Sequence, residues 1–528
     1  MRYLPVLTAA IILSSCGHRS SGSSGSSDSM TDSVADQTLA EIPEPIVSEL
    51  PDTPQPTAAD VTFRVIVKDS TVSAEVDPAS DLYSTAPGAL TFRGNLRRDA
   101  DFGGRVKGRP EKIVTEWVFE TATDDRDTDY GRWGGGTGWT GQPLYVEWPA
   151  ELLERFKQAG VMSSEASPRE IIVGSLASEV YFIDYETGKA SRRPLPTTNP
   201  IKGTVSLDPT LNGNLYVGQG VPAEQPFGAM TFNLLTHTLT SMFDRDPGAE
   251  RGWGAYDSSA IRTGRFLFRP GENGTLYKWL VEPDCTTRLH SLLRYRVGGS
   301  APGMEASMSV YRNYGYVADN HGNILCINLS TLRPIWHYAT GDDSDATPVV
   351  TEEDGRAYVY VCSEIDRQGE GTALFAKLDA LTGKPVWERR IEGQRADVDE
   401  KHFDGGFYAS PLPGQGNASG LIFANCVLNT DGRNGQLMAF DRATGATRWA
   451  TPLSYYSWSS PVGFLNEEDE MFILTGDCAG NLYIVDAATG RIITRRRVGN
   501  NFESSPVVTG NTAVVGSRGR TIYKVSLQ

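Results

Sequence analysis

The sequence has 528 residues, and its 65 acidic against 49 basic side chains give a formal charge of −16. A nucleic-acid-binding face needs clustered Lys and Arg, so this balance argues against nucleic acid as a partner. Gly and Pro together make about 16% of the chain, above the roughly 12% of average usage, which favours a turn-rich all-β fold.

The N-terminus has the layout of a bacterial secretory signal. Arg2 precedes an apolar run over residues 4–13, and the tetrapeptide Leu-Ser-Ser-Cys at residues 13–16 resembles the lipobox, where lipid is attached to the cysteine. We therefore predict a signal peptide over residues 1–15 and lipidation of Cys16; the alternative is an ordinary signal peptide with an incidental cysteine. Gly17 resembles the residue that follows the cysteine in lipoproteins sent to an outer membrane. This predicts a lipid-anchored protein in the envelope of a Gram-negative bacterium, on either face of the membrane.

Two further segments precede the repetitive part of the chain. Residues 16–60 are rich in Ser, Gly, Pro and acids, and they carry too little apolar surface to offset the entropy of ordering, which predicts a disordered tether. Residues 61–112 form an N-terminal extension, in which residues 63–67 and 71–76 are candidate strands of a small hairpin.

A repeat with a period near 48 residues runs from about residue 174 to the C-terminus. Each unit opens with a small residue, often followed by Pro and an apolar pair, and later carries Asp-x-x-Thr-Gly, often with Trp eight residues after the Asp. The Asp accepts a hydrogen bond from a following amide, Gly supplies the positive φ that closes a hairpin, and Trp gives the outer strand a large apolar face. We assign structural roles to the clearest positions, which are Asp184, Gly188, Asp379, Gly383, Trp387, Asp441, Gly445, Trp449, Asp486 and Gly490.

Each unit supplies four short strands, and this period predicts the blades of a β-propeller. The last unit stops before its fourth strand. Residues 113–119, Ile-Val-Thr-Glu-Trp-Val-Phe, lie upstream of the first blade and are similar to that missing strand. We therefore predict an all-β, eight-bladed propeller over residues 113–528, closed by pairing an N-terminal strand with the C-terminal blade.

In such a ring, the residues three before each blade-opening Pro, or before its equivalent, converge at one mouth of the central channel. Aromatic faces and carboxylates in that position suit a sugar or a peptide with basic groups. The alternative is that the acids are solvated and the aromatic rings fill space between blades. The series is Thr140, Ser206, Asp257, Glu305, Asp345, Tyr408, Trp458 and Glu503, and adjacent loops add Trp139 and Trp253.

The sequence contains no catalytic or metal-binding motif: His-Glu-x-x-His, Cys-x-x-Cys, Gly-x-Ser-x-Gly and phosphate-binding loops are all missing. Converging carboxylates could hold Ca²⁺, but residues 342–345, Asp-Asp-Ser-Asp, depart from the Asp-x-Asp-x-Asp-Gly loop, and we expect them to be solvated. We therefore predict neither catalytic residues nor a metal site.

The pattern Asp-x-x-Thr-Gly-x-x-x-Trp resembles the tryptophan-docking repeat of the pyrroloquinoline-quinone (PQQ)-like propeller superfamily, over roughly four fifths of the chain. This superfamily includes quinoprotein alcohol dehydrogenases and the propeller lipoprotein of the outer-membrane barrel-assembly machinery. The resemblance implies the propeller fold. The quinoprotein enzymes have adjacent cysteines near their cofactor, and this sequence has no such pair, so we predict no cofactor.

The sequence therefore favours a lipid-anchored, non-enzymatic binding or scaffolding propeller that holds an envelope protein or glycan. One alternative is a quinoprotein-type oxidoreductase that uses PQQ and calcium. Another is a subunit of outer-membrane barrel assembly.

Overall fold

The computed structural model describes residues 58–398, 401–428 and 435–528. The predicted signal peptide, the lipidation site Cys16 and all but the last residues of the predicted tether lie outside this part of the chain. Among the described residues, none of the helices has the length and apolar character needed to cross a membrane.

The described chain forms eight antiparallel sheets arranged as the blades of a propeller, which confirms the predicted fold. Three strands precede the first blade: β1 (Val61–Val67), β2 (Gly88–Ala89) and β3 (Ile113–Glu120). Blade 1 contains β4 (Leu144–Glu147), helix α1 (Ala150–Gln158), β5 (Arg169–Ser175), β6 (Glu179–Asp184) and β7 (Leu195–Pro196). Blade 2 contains β8 (Ser206–Leu207), β9 (Asn214–Gly218), β10 (Ala229–Asn233) and β11 (Thr238–Phe243).

The next three blades follow the same order, with the first strand of each innermost. Blade 3 contains β12 (Ile261–Thr263), β13 (Phe266–Gly271), β14 (Thr275–Val281) and β15 (Thr287–Val297). Blade 4 contains β16 (Ser309–Tyr311), β17 (Tyr314–Ala318), β18 (Asn323–Asn328) and β19 (Arg333–Ala339). Blade 5 contains β20 (Val349–Glu353), β21 (Arg356–Cys362), β23 (Glu370–Asp379) and β24 (Pro385–Gln394), and β22 (Glu364–Ile365) extends to the next sheet.

A short hairpin, β25 (Ala396–Val398) and β26 (Lys401–Phe403), precedes blade 6. Blade 6 contains β27 (Gly405–Gly406), β28 (Leu412–Pro413), a 3₁₀ turn (Gly416–Ala418), β29 (Leu421–Val427), β30 (Gly435–Asp441) and β31 (Thr447–Leu453). Blade 7 contains β32 (Val462–Leu465), β33 (Met471–Gly476), β34 (Asn481–Asp486) and β35 (Ile492–Arg497). Blade 8 contains β36 (Val507–Thr509), β37 (Thr512–Gly516) and β38 (Thr521–Leu527), and β3 is its fourth strand.

The two ends of the propeller segment, residues 113–528, share blade 8, as predicted. Strand β3 pairs antiparallel with β38, from Ile113 opposite Leu527 to Glu120 opposite Thr521. The indole of Trp117 on β3 then donates a 2.9 Å hydrogen bond to the carbonyl of Tyr185 in blade 1. The ring is therefore closed both within blade 8 and between blades 8 and 1.

The repeated tryptophans dock each blade onto the next one. Trp336, Trp387 and Trp449 donate indole hydrogen bonds of 3.0–3.1 Å to carbonyls in the Asp-x-x-Thr-Gly turn of the following blade. A Cβ on the turn glycine would clash with the docked ring, as at Gly445, where it would come 2.5 Å from Trp387. Glycine is required there both for this approach and for its φ of +71°.

The predicted hairpin in the extension is wrong. Strand β1 pairs with β15 along its whole length and becomes the fifth strand of blade 3, whereas residues 71–76 form no strand. The physical reason is the free outer edge of β15, which spans 11 residues and offers β1 a longer partner than its neighbouring segment does.

The rest of the extension closes one end of the central channel. Residues 88–106 form hydrogen bonds with all eight blades. In each blade, the bonded residue follows the predicted mouth position in sequence, so it lies further along the segment that forms the innermost strand. This segment therefore plugs the end of the channel opposite the mouth. In blade order, the partners are β4, Leu207, Ser259, Val310, Val350, Pro411, Leu465 and Gly510.

Two arginines anchor this plug with side chains that are fully buried. Arg93 donates to the carbonyls of Pro411 and Pro461 in blades 6 and 7, and Arg98 donates to the carbonyls of Ser259 and Met308 at 3.0 Å. Burial lowers the pKa of Arg93 to about 9 and that of Arg98 to about 10. The two guanidinium groups thus lose their hydrating water on folding and donate hydrogen bonds to carbonyls of four different blades instead.

Arg93→Ala tests the plug. The substitution leaves buried carbonyls without donors and opens a cavity, so we expect the free energy of unfolding to fall by about 3 kcal/mol or more. Urea denaturation measures the change. The matched control is Arg97→Ala. The half-exposed side chain of Arg97 pairs with Asp99 alone among the described residues, so this substitution should cost about 1 kcal/mol or less. Equal losses in the two variants would contradict the role of Arg93.

Candidate functional site

A ladder of hydroxyl groups sets the inner positions of the blades in register. Six Ser or Thr residues open blades 3 to 8, and the backbone N–H of each of the first five donates to the hydroxyl of the next blade at 2.8–3.1 Å. The residues two before these hydroxyls therefore occupy equivalent places at the mouth. The six are Ser259, Ser307, Thr347, Ser410, Ser460 and Ser505.

The ladder corrects the sequence-based series at blade 2. The N–H of Gln142 in blade 1 donates to Thr204 at 3.0 Å, so Thr204 is the ladder residue of blade 2 and Lys202 occupies its mouth position. Ser206, which the spacing from Pro209 selected, lies deeper and shares hydroxyl contacts with Thr91 and Ser259. A Pro that does not open the blade misled the alignment, whereas counting from Thr204 finds the lysine.

The first acidic cluster, triad A, consists of Asp257, Glu272 and Glu305, whose carboxylate oxygens lie within 4.8 Å of one another. The ammonium of Lys202 forms an ion pair with Asp257 and lies 3.9 Å from an oxygen of Glu305. Burial opposes the charge on Lys202, but Asp257 and Glu305 outweigh it and raise the pKa of the ammonium. Triad A therefore contains a cation supplied by the chain itself.

The second cluster, triad B, consists of Asp343, Asp345 and Glu364, also with oxygens within 4.8 Å of one another. The amide of Asp345 donates to Glu364 Oε1 at 3.0 Å, and the amide of Ser344 donates to Asp343 Oδ1 at 2.6 Å. Asp342 beside the cluster accepts four backbone N–H bonds from residues 343 and 366–368. The expectation of a solvated loop over residues 342–345 is wrong, because these bonds fold it inward and bury Asp342 and Asp345.

Like charges accumulate in this part of the mouth. Burial, together with Asp345 and Asp343, raises the pKa of Glu364 well above its usual range, and burial with Glu305 and Asp343 does the same for Asp345. Asp404, before β27, is raised by burial and by Asp366. These carboxylates favour their neutral forms, so the site is electrostatically costly when it is ionised.

Glu503 stands apart from both triads. Its carboxylate accepts a 2.9 Å bond from Asn501 and lies 3.5 Å from the guanidinium of Arg518, which in turn lies over the ring of Trp133. Of the four predicted mouth acids, Asp257 and Glu305 thus meet in triad A, Asp345 belongs to triad B, and Glu503 has a cationic partner of its own.

The predicted aromatic residues form a second half of the mouth. The ring of Tyr408 stacks on Trp458 with centroids 4.8 Å apart, and Trp139 meets Tyr408 edge-on at 4.9 Å. All three are buried, and the indole N–H groups of Trp139 and Trp458 have no hydrogen-bond partner among the described residues. Trp253 lies instead beside triad A, where it donates to Glu272 at 2.6 Å. Charged positions on blades 2 to 5 therefore face an aromatic group from blades 1, 6 and 7.

Sequence reasoning missed Lys202, Glu272, Glu364 and Asp404. Glu272 lies in the turn between β13 and β14, Glu364 lies in the two-residue strand β22, and Asp404 directly precedes β27. None of these acids therefore occupies the repeated position that was compared. An acid in a Gly-Glu-Asn-Gly turn was the one available signal, and it applies to Glu272 alone.

Three comparisons place this geometry among known proteins. Residues 433–528 match the family model described as outer membrane protein assembly factor BamB. No curated protein sequence matches the chain. Among solved structures, the chain is similar to a europium-containing methanol dehydrogenase, with 12% identity, 84% of this chain and 99% of that chain covered, and a TM-score of 0.53. The chain has the fold of the PQQ-like propeller superfamily.

Two further structures have the same architecture. The quinohemoprotein alcohol dehydrogenase from Comamonas testosteroni has 13% identity, with 84% of this chain and 80% of that chain covered and a TM-score of 0.56. BamB from Moraxella catarrhalis has 16% identity, with 68% of this chain and 93% of that chain covered and a TM-score of 0.48. At these identities the likeness concerns the fold alone.

A planar quinone does not fit between the stacked rings of Tyr408 and Trp458. Inserting a ring between Tyr408 and Trp458 requires about 7 Å between their planes, because stacked atoms stand about 3.5 Å apart, and the two centroids are 4.8 Å apart. The sequence also has no adjacent cysteine pair.

Glu364→Gln tests the electrostatic cost of the mouth. Because folding raises the pKa of Glu364, the stability that its protonated form contributes below its unfolded pKa, roughly 4.3, is lost as pH rises. In buffer free of divalent cations, we expect the free energy of unfolding of the variant at pH 8 to exceed that of the parent by about 1 kcal/mol or more. At pH 4 we expect the two free energies to be equal.

Urea denaturation at the two pH values measures this gain. The matched control is Glu467→Gln, which changes an exposed acid and should leave stability unchanged at both. A loss of stability for Glu364→Gln at pH 8 would contradict the proposed repulsion.

Proposed function

We propose that the protein is a lipid-anchored propeller of the cell envelope that acts as a non-enzymatic binding or scaffolding module for a protein or glycan. The observation that carries this proposal is the form of the mouth. Its carboxylates and aromatic rings converge above a channel whose other end is plugged by residues 88–106. A blind recess with converging polar groups is typical of a binding site.

The distribution of charge supports a partner with basic or hydroxyl groups. The six carboxylates of triads A and B form ion pairs with one described cation, Lys202, while the indole N–H groups of Trp139 and Trp458 lack acceptors in the described chain. A basic side chain offers charge to the acids, and a sugar offers both hydroxyl donors and acceptors and an apolar face for stacking. Either ligand complements the two halves of the mouth.

The envelope location rests on two sequence observations. The lipobox-like residues 13–16 support lipidation at Cys16, and the family model that matches residues 433–528 describes an outer-membrane assembly factor. This match favours a narrower second candidate, in which the partner belongs to the machinery that assembles outer-membrane barrels.

The proposal is tested by crosslinking and pull-down of the chain from its own membrane, followed by mass spectrometry. The triple variant Asp257→Asn, Glu305→Gln, Asp345→Asn keeps the shape of the mouth and removes its charge. We expect it to recover the partner at least tenfold less, because ionic recognition is lost. An outer-membrane barrel protein among the captured partners would support the second candidate.

The matched control, Asp125→Asn, Glu165→Gln, Glu467→Gln, removes three exposed acids elsewhere and should leave recovery unchanged. Equal recovery by the mouth variant would remove the mouth as the binding face. Quinone absorbance together with dye-linked alcohol oxidation, after addition of PQQ and Ca²⁺, would contradict a non-enzymatic role.

A further inference from the structure

Triads A and B have the same arrangement of carboxylates, but only triad A is paired with a cation from the described chain. Each has three carboxylates with oxygens within 4.8 Å of one another at the same mouth. In triad A the ammonium of Lys202 pairs with Asp257 and lies 3.9 Å from Glu305. Triad B has no such group: none of its carboxylates forms an ion pair with a described residue. The neighbouring cations have other partners, Arg367 at Asp342 and Arg395 at Asp366.

A second observation points to a ligand in triad B. Asp345 is 6% exposed, and its Oδ1 has no hydrogen-bond partner among the described residues. A buried carboxylate oxygen without a donor costs free energy unless a cation or a proton satisfies it. The bonds from the amides of Asp345 and Ser344 occupy only one oxygen each of Glu364 and Asp343, which leaves one oxygen on each acid for a ligand.

We propose that triad B is a divalent-cation site, held by Asp343, Asp345 and Glu364, and best suited to Ca²⁺. Calcium binds carboxylate oxygens at about 2.3–2.6 Å, so two of its ligands lie at most about 5 Å apart, in agreement with the spacing of triad B. Its remaining coordination positions are filled by water. Asp342 is a positioning residue, because its four backbone bonds hold the loops that carry the three ligands.

A bare ion fits this site better than the ammonium of a partner. Asp345 and Glu364 are 6% and 1% exposed, so a partner side chain would have to bring its whole aliphatic stem into a closed region. Lys202 reaches triad A because its stem comes from within the ring. The site does not depend on any envelope partner, and it is formed by the loop between β19 and β20 together with β22, without a quinone.

The test is calorimetric titration of the purified full chain with CaCl₂ after removal of metals with EDTA, together with thermal unfolding. We expect one Ca²⁺ per chain and a midpoint that rises by about 2 °C or more in excess Ca²⁺. The double variant Asp345→Asn, Glu364→Gln should fold, because it loses internal repulsion, and should lose at least tenfold in affinity. The matched control Glu467→Gln, Glu468→Gln removes two exposed acids and should bind as the parent does.

A further variant tests the comparison between the triads. Lys202→Met removes the resident cation of triad A and should raise the stoichiometry from one Ca²⁺ to two. No binding of Ca²⁺, Mg²⁺ or Mn²⁺ by the parent at 10 mM, about tenfold above the weakest dissociation constants of extracellular calcium sites, would overturn the proposal. So would undiminished binding by the double variant, or binding of hexalysine peptide in place of Ca²⁺. Because no envelope partner is present, failure here is distinct from failure of the pull-down.

Discussion

Ring closure is the constraint on which the rest of the molecule depends. Eight blades give a closed ring only if the last one is complete, and strand β3 completes it by pairing with β38 over eight residues of chain. The indole of Trp117 then docks blade 8 onto blade 1 in the way that the other tryptophans dock their neighbours. Closure leaves only short, outward-facing edges on the sheets. It also brings residues separated by hundreds of positions to one mouth.

At the mouth, this convergence brings buried carboxylates close together, which is energetically unfavourable. A structural core would separate the carboxylates or pair each with a base, whereas burial and neighbouring acids raise the pKa values of Asp345, Glu364 and Asp404. Local arrangements that reduce stability are concentrated at functional sites, where the missing stabilisation is supplied by a ligand. The plug at the other end of the channel contrasts with this, because Arg93 and Arg98 donate to several backbone carbonyls each. The polar groups at one end of the channel are thus satisfied by the chain itself, whereas Asp345 Oδ1 and the indole N–H groups of Trp139 and Trp458 at the other end have no hydrogen-bond partner among the described residues.

The sequence allowed the ring and part of the mouth to be predicted, because both repeat. Asp-x-x-Thr-Gly recurs with a constant spacing, and the strand containing Trp117 has the composition of the strand absent from the last unit. Asp257, Glu305 and Asp345 were found in the same way, since each stands two residues before a ladder hydroxyl. Lys202 was missed because Pro209 suggested a register four residues further on, although Thr204 is the residue that joins the ladder.

Triad B's Glu364, the plug and the pairing of β1 do not recur along the sequence, so no repeated pattern predicted them. Glu364 reaches triad B from a two-residue strand that only tertiary folding places beside residues 343–345. The plug is a single copy, and β1 pairs with β15 across more than two hundred residues of sequence, a contact that local propensity does not encode.

Hydrogen exchange of β3 and β38, measured by mass spectrometry on peptides of the native full chain, tests the central claim of ring closure most directly. If β3 is the fourth strand of blade 8, amides of residues 113–120 and of residues 521–527 are protected to a similar degree and lose protection together in urea. If residues 113–120 exchange at the rate of an exposed tail while β38 behaves as a free edge, the ring is open at blade 8. The convergence of the eight mouth positions would then have no structural basis.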